Sequence, residues 1–448
     1  MNWFQPSIDL LHSLPSASDT RLRSFFSLAR PICIARAPGR LDVMGGIADY
    51  SGARVLELPL ACATFALVQK QDAPRCEVAS LRGDRWDFFA TELPWVREAQ
   101  ADRWATYVVG VVQALLPTET ARSGLRILIH SSVPEGRGVA SSAALEVAVA
   151  AAVAASSDIR IEPADLAALC QRVENHVVGA PCGIMDQMTS ACGKRDRLLQ
   201  LRCQPGTIEG YLEVPSGYRF YGIDSGISHA VSGADYGTVR TAAFMGLRIL
   251  TTETPWRGRY LADLTPVQFS QFAPCLPEEM TGGEFLERYG DISDTATVVD
   301  PDRRYPVRRA SEHPVGEQAR VDRFAELLAA LPRQPYVATE LGELMYGSHR
   351  SYSACGLGSD GTDRLVELVR SAGPERALFG AKITGGGSGG TVAVFGTSEA
   401  EGVVRDLAAR YAAETGRTAR VFAESGPGTA EAGGLSVRGM PPALVHPH

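Results

Sequence analysis

Residues Pro134 to Ala144 read P-E-G-R-G-V-A-S-S-A-A, and they lie between two stretches of opposite character. Upstream, residues 125 to 132 (L-R-I-L-I-H-S-S) alternate as a half-buried strand does, and downstream Ala143 to Ala155 is an Ala/Val run that reads as a buried helix. A glycine-rich turn that feeds a helix is suited to an anion. Glycines let backbone N–H groups approach closely, and the helix start adds unpaired donors and the positive end of its dipole. Phosphate is the natural guest; the alternative is a plain turn whose helix is capped by Ser141 or Ser142.

Two other phosphate signatures are excluded. No G-K-[ST] step occurs, so there is no Walker-type loop. Gly385, Gly387 and Gly390 satisfy G-x-G-x-x-G, but a β-branched run follows them where a dinucleotide-binding fold needs a helix.

Outward from the loop, Pro163 to Val178 carries apolar residues at helical spacing (Leu166, Leu169, Val173, Val177), Gly179 to Gly183 interrupts it, and Ile184 to Ala191 resumes. Strands are expected at Ile32 to Ala35, Val55 to Leu58, Leu198 to Leu201 and Tyr218 to Ile223, with a functional loop from Pro38 to Gly52. Residues 250 to 320, rich in Pro and charge, read as short helices and loops. Lys382 to Gly390 precedes a strand, Thr391 to Phe395, and a final helix, Ala400 to Thr415. A chain of 448 residues exceeds what one core normally supports, and the division expected is 1–212 and 213–440.

Composition narrows the function. With 45% hydrophobic and 21% charged residues the chain is of ordinary globular type, and a net charge of −7 opposes attraction to nucleic acid or anionic membranes. The nine cysteines form no C-x-x-C pair, and the eight histidines form no H-E-x-x-H; His446 and His448 lie in a Pro-containing tail. The amino terminus lacks a leader pattern and no long apolar run follows, so a cytoplasmic location is expected.

Three separated elements, in order, resemble the GHMP kinase family: A-P-G-R-L-D-V-M-G-G-I-A-D-Y-S-G at 37–52, the loop at 134–144, and K-I-T-G-G-G-S-G-G at 382–390. V-E-N-H-V-V-G-A-P-C-G-I-M-D-Q at 173–187 and S-H-R-S-Y at 348–352 resemble its galactokinase branch. The resemblance implies an α+β fold of two domains, an amino-terminal α/β domain with a left-handed βαβ unit and a carboxy-terminal ferredoxin-like domain. It implies ATP and Mg2+ as cofactors, a sugar as acceptor, and a monomer or small homo-oligomer.

The same resemblance assigns roles residue by residue. Asp186 and Arg40 match the catalytic pair, and Ser142 and Glu174 match the magnesium ligands. Pro134, Gly136, Gly138, Val139, Ala140, Ser141, Ser142 and Ala143, with Gly386 and Gly387 of the third loop, match the ATP site. Asp49, Gly46, Ile47, Gly183 and Tyr236 fall at sugar-binding positions. Where galactokinases show G-E-H-x-D-Y, this chain has Gly45, Gly46, Ile47, Ala48, Asp49 and Tyr50. Both polar contacts are gone while the Asp is kept, which suits a pentose without the exocyclic hydroxymethyl arm. Segments 40–52, 225–236 and 355–363 also resemble the kinase region of plant L-arabinokinases. The expected product is β-L-arabinose 1-phosphate; the alternatives are a galactokinase or other sugar 1-kinase, and a non-catalytic sugar and ATP sensor.

Overall fold

The computed structural model describes residues 2–27, 29–95, 103–116, 124–228 and 234–438. Residues 229–233 of the segment matched to arabinokinases, and the tail histidines His446 and His448, lie outside them.

The first sheet is built on two long strands. Strand β1 (Ile32–Met44) is buried on both faces for nearly its whole length, and β2 (Arg54–Gln71) runs antiparallel to it. The expected loop from Pro38 onward is therefore mostly strand, and only the 3-10 turn Gly46–Ser51 breaks away. A strand without a solvent face has no polar alternation to read. Pro38 cannot donate to the ladder, and the β1–β2 register slips between Pro38 and Arg40 and again between Asp42 and Met44.

The 18 residues of β2 serve two neighbours. Its carboxyl half pairs with β5 (Gly124–Ser131), which lies parallel to β3 (Arg75–Arg82), itself paired with β4 (Arg85–Glu92). Its amino half pairs with β6 (Arg197–Arg202), which pairs in turn with β7 (Thr207–Glu213), a strand hidden in what reads as a Pro/Gly connection. Helices Arg103–Leu115, Ser141–Ser156, Pro163–Arg172 and Met185–Cys192 join this sheet around one apolar core that includes Val108, Val147, Val153, Met188 and Ile127. The helix Ser141–Ser156 is apolar almost all round, as a helix enclosed by neighbours must be.

The second sheet has four antiparallel strands in the order Leu378–Ile383, Thr391–Thr397, β8 (Tyr218–Asp224) and Val421–Phe422. Packed with it are helices Val307–Ala330, Ala338–Ala354, Asp360–Ala372 and Glu401–Thr415. The 24-residue helix Val307–Ala330 corrects the expectation of loops and short helices up to residue 320, as does helix Ala234–Glu253 before it. Pro314 inside the longer helix and its mixed charges mask a buried stripe that includes Val307, Ala310, Val321, Phe324 and Leu328.

The chain then departs from a simple division at 212/213. The segment after Phe422 returns to the first sheet, where Leu435–Val437 pairs with the outer edge of β1. Buried Arg36 donates to the carbonyls of Ala61 and Pro427, and Thr429 Oγ1 donates to Arg36 O at 2.8 Å. No described helix is long and apolar enough to cross a membrane.

Phe395 is fully buried, stacking on Phe220 at 5.0 Å and Tyr218 at 5.7 Å between ring centroids. Phe395→Ala is expected to cost about 3–5 kcal/mol in chemical denaturation. Val267→Ala, at a position 68% exposed, is expected to stay within about 0.5 kcal/mol.

Candidate active site

The glycine-rich turn leads from β5 into helix Ser141–Ser156 through three residues with positive φ: Gly136 at 67°, Gly138 at 68° and Ala140 at 60°. Ala140 occupies the cap position and no side chain caps the helix. Ser141 and Ser142 lie within the first turn, so the reading of either as a simple cap is not realised. Val139 and Ala143 are buried, whereas Pro134, Gly136 and Gly138 keep some surface.

The third loop closes on this turn. A Cβ at Gly385 would lie 2.8 Å from Gly138 O, one at Gly390 would lie 2.9 Å from Arg137 O, and Thr391 Oγ1 donates to Arg137 O at 2.8 Å. Here glycine serves close backbone approach. Of the two glycines matched to the ATP site, Gly387 packs instead on Leu357, 2.7 Å from a built Cβ, and Gly386 is half-buried beside it. The contacts with the phosphate loop belong to Gly385 and Gly390.

Arg40, on β1, joins this turn to the acid expected to work there. Its Nε and Nη2 reach Asp186 Oδ1 at 3.0 and 2.8 Å, and its Nη1 donates to Gly138 O at 2.6 Å. Burial works against the charge of Arg40, but Asp186, Glu57 and Asp42 outweigh it and hold the guanidinium protonated beyond its ordinary range. Asp186 opens helix Met185–Cys192 and keeps 21% of its side chain exposed, against 2% for Arg40. The acid therefore faces open space and the base behind it does not. Behind Arg40 lies Glu57, 3.4 Å from Nε and fully enclosed; burial, then Asp42, pushes its carboxyl far above the usual carboxylate range.

A second buried pair fixes the end of β1. Lys382 Nζ contacts Asp42 Oδ2 at 2.5 Å with both side chains inaccessible, and Asp42 Oδ1 accepts from Gly46 N at 3.0 Å. Tyr352 Oη accepts from Ile47 N at 2.9 Å and donates to Gly385 O at 3.1 Å. Ser348 Oγ and Gly45 N both donate to Glu317 Oε1, at 2.6 and 3.1 Å. The S-H-R-S-Y segment thus works as a brace between the first and third loops.

Glu174 lies in the π-helical turn Val173–Val178 and gathers Ser142, Tyr107 and Gln187. Gln187 Nε2 donates to Glu174 Oε2 at 2.6 Å and Tyr107 Oη to Oε1 at 3.3 Å. Burial pushes the Glu174 carboxyl up to about 7, Ser142 opposes by hydrogen bonding, and Asp186 adds to the rise. The Ser142 hydroxyl, in the first turn of helix Ser141–Ser156, and the Glu174 carboxylate are oxygen donors of the kind a hard divalent cation takes. Among the described residues no three His, Cys, Asp or Glu side chains converge as a ready-made metal site. Sequence reasoning missed Glu146, one turn past Ser142, which faces Glu174 and shares the Gln187 amide at 3.4 Å. A lone acid within the Ala/Val run was the signal available.

A second cluster is built around Asp49, in the 3-10 turn and 2% exposed. Tyr50 N donates to its Oδ1 at 2.6 Å, and a Cβ at Gly183 would lie 1.6 Å from Oδ2, so Gly183 is what leaves room for this carboxylate. Burial pushes Asp49 from 3.8 up to about 7; Arg240 opposes and Asp186 adds. Tyr236, on helix Ala234–Glu253, meets Tyr50 edge to face at 5.8 Å. The structure thus gathers Arg40, Asp186, Asp49, Gly183 and Tyr236.

Gly46 and Ile47 are different. Ile47 has no exposed surface and packs with Tyr50, Val239 and Tyr352, while a Cβ at Gly46 would lie 1.6 Å from Tyr352 Oη. They shape the site from beneath and present no side chain to it. The sequence also gave no notice of Arg240 and Asp294, a buried pair next to Asp49.

Against known proteins, the chain matches the models for the GHMP kinases N terminal domain over residues 106–194 and the GHMP kinases C terminal over 334–413. A galactokinase of Chloroflexus aggregans is 31% identical over 87% of this chain and 90% of its own length. An L-arabinokinase of Arabidopsis thaliana is 39% identical over 92% of this chain, which spans 47% of that relative's length. Lactococcus lactis galactokinase, solved in complex with galactose, superposes with a TM-score of 0.74 at 20% identity, over 91% of this chain and 95% of that one. The chain belongs to the GHMP kinase family.

Folded Asp49 keeps its proton to higher pH than the unfolded chain does, so it contributes nothing below 3.8 and destabilises progressively from there to about 7. Asp49→Asn is expected to flatten that part of the pH profile, measured as unfolding free energy across the window without ligands. A variant with the wild-type slope would show that Asp49 titrates normally.

Proposed function

We propose that the chain transfers the γ-phosphoryl group of ATP to the anomeric hydroxyl of L-arabinose, giving β-L-arabinose 1-phosphate and ADP. One observation carries this reading: the guanidinium of Arg40 holds both Asp186 and the backbone of the phosphate loop at Gly138. An acceptor addressed by Asp186 and a phosphate cradled at residues 136–142 are then referred to a single rigid anchor. Phosphoryl transfer depends chiefly on such positioning.

In this scheme the anomeric oxygen attacks the γ-phosphorus and the bond to the β–γ bridging oxygen breaks. Asp186 accepts or orients the proton of the attacking hydroxyl, and Arg40 holds Asp186 in place. The open amides at the start of helix Ser141–Ser156 address the phosphate. Ser142 and Glu174 would hold Mg2+, whose contribution would be to offset the charge of the nucleotide. Asp49 and Tyr236 hold the sugar.

The pentose is supported by the 39% identity to a protein named L-arabinokinase. It is supported again by the motif, which has Gly46 and Ile47 where galactokinases show Glu and His: a Cβ at Gly46 would lie 1.6 Å from Tyr352 Oη, so this turn has no room for that Glu. Galactose is the second reading, favoured by relatives named galactokinase at 31% identity over nearly their full length.

In a coupled ADP-release assay, kcat/KM for L-arabinose should exceed that for D-galactose by about 10²; a preference for D-galactose would replace the pentose reading. Asp186→Asn should lower kcat by at least about 10² while ATP affinity stays close to wild type. An almost normal kcat in that variant would remove Asp186 from the chemistry.

A further inference from the structure

Arg240 is 6% exposed, and two of its three nitrogens are committed. Its Nε and Nη2 donate to the two oxygens of Asp294 at 2.7 and 2.8 Å, the fork geometry in which a guanidinium is held most firmly. The third nitrogen, Nη1, is buried without an acceptor. A buried donor left unpaired is costly, and such a group in a native fold calls for an explanation.

Its surroundings supply one. Arg240 lies one helical turn after Tyr236, so both side chains leave helix Ala234–Glu253 on the same face. That face meets the turn holding Asp49 and Tyr50: the Arg240 guanidinium is 5.6 Å from the centre of the Tyr50 ring, which itself meets Tyr236 edge to face. The charge of Arg240 is the largest electrostatic influence on Asp49. Yet among the described residues the ion-pair partner of Arg240 is Asp294, and Asp49 accepts its one hydrogen bond from Tyr50 N. A buried donor without an acceptor and a buried carboxylate thus lie near one another with no hydrogen bond between them. A hydroxyl both accepts and donates, which matches the two ends.

We propose that Arg240, held by Asp294, is a specificity-determining residue of the acceptor pocket, its Nη1 donating to the same ring hydroxyl that donates to Asp49. The assignment rests on the sugar kinase reading above and adds to it a pair that the motifs did not contain. A pocket that leaves buried polar groups unpaired rejects an analogue lacking the matching hydroxyl far more strongly than an apolar pocket rejects extra bulk.

The test compares wild type with the double variant Arg240→Met/Asp294→Leu, which removes both charges and leaves neither buried alone, on L-arabinose, D-galactose and their mono-deoxy analogues. The variant should raise the KM for the sugar at least about tenfold, the worth of one buried hydrogen bond, with the KM for ATP unchanged as the sign of an intact fold. Wild type should reject one deoxy analogue much more strongly than the others, and for that analogue the variant should lose little further, a non-additive cycle. Arg240→Lys should not rescue, since one ammonium cannot both fork onto Asp294 and reach the hydroxyl. Normal sugar KM in the double variant, or additive effects with every analogue, would overturn the assignment alone. A wild type that phosphorylates no sugar would overturn the kinase reading and this assignment with it.

Discussion

The site depends on one guanidinium having no freedom. Arg40 lies inside a central strand, is 2% exposed, and spends every nitrogen on a partner: two on Asp186 and one on Gly138 O. The loop, the acid and the strand therefore hold one geometry, and none can shift without breaking a charge-assisted bond to a buried guanidinium. The third loop adds to this from the other sheet, because Gly385 and Gly390 let its backbone sit against residues 137 and 138. The two halves of the chain meet at contacts in which a side chain larger than hydrogen would not fit.

Around that anchor the chain buries more acids than bases. Asp42, Asp49, Glu57, Glu146 and Glu174 are all buried, and of these Asp42 meets Lys382 and Glu57 meets Arg40. Burial pushes Asp49, Glu57, Glu146 and Glu174 upward, so the free pocket tends to hold protons in place of negative charge. Buried charge of this kind is poor economy for stability and is found where a fixed electrostatic field has a use.

What the sequence disclosed was set by where the information is local. The glycine turn, the helix after it and Asp186 at the start of its own helix follow from short patterns, and they led to the fold class and family that the comparisons show. The extent of β1 was hidden because a strand with two buried faces has no alternation, and helix Val307–Ala330 was hidden by Pro314. Arg240, Asp294, Glu146 and Lys382 were not found, since each acquires meaning from a partner on a distant segment: 54 residues separate Arg240 from Asp294, and 340 separate Lys382 from Asp42. Gly46 and Ile47 carried a motif position whose side chains, once folded, point away from any opening.

Strand Leu435–Val437 covers the free edge of β1, the strand that carries Arg40. During synthesis β1 emerges about 390 residues before the strand that covers this edge. For the whole time the ribosome is making residues 45 to 434, β1 has an open side with unpaired backbone groups, the sort of surface on which a nascent chain invites wrong pairing. Completion of the first sheet is thus tied to a segment that follows the whole of the second sheet, and a chain cut just before residue 435 would keep all its motifs on an unfinished scaffold.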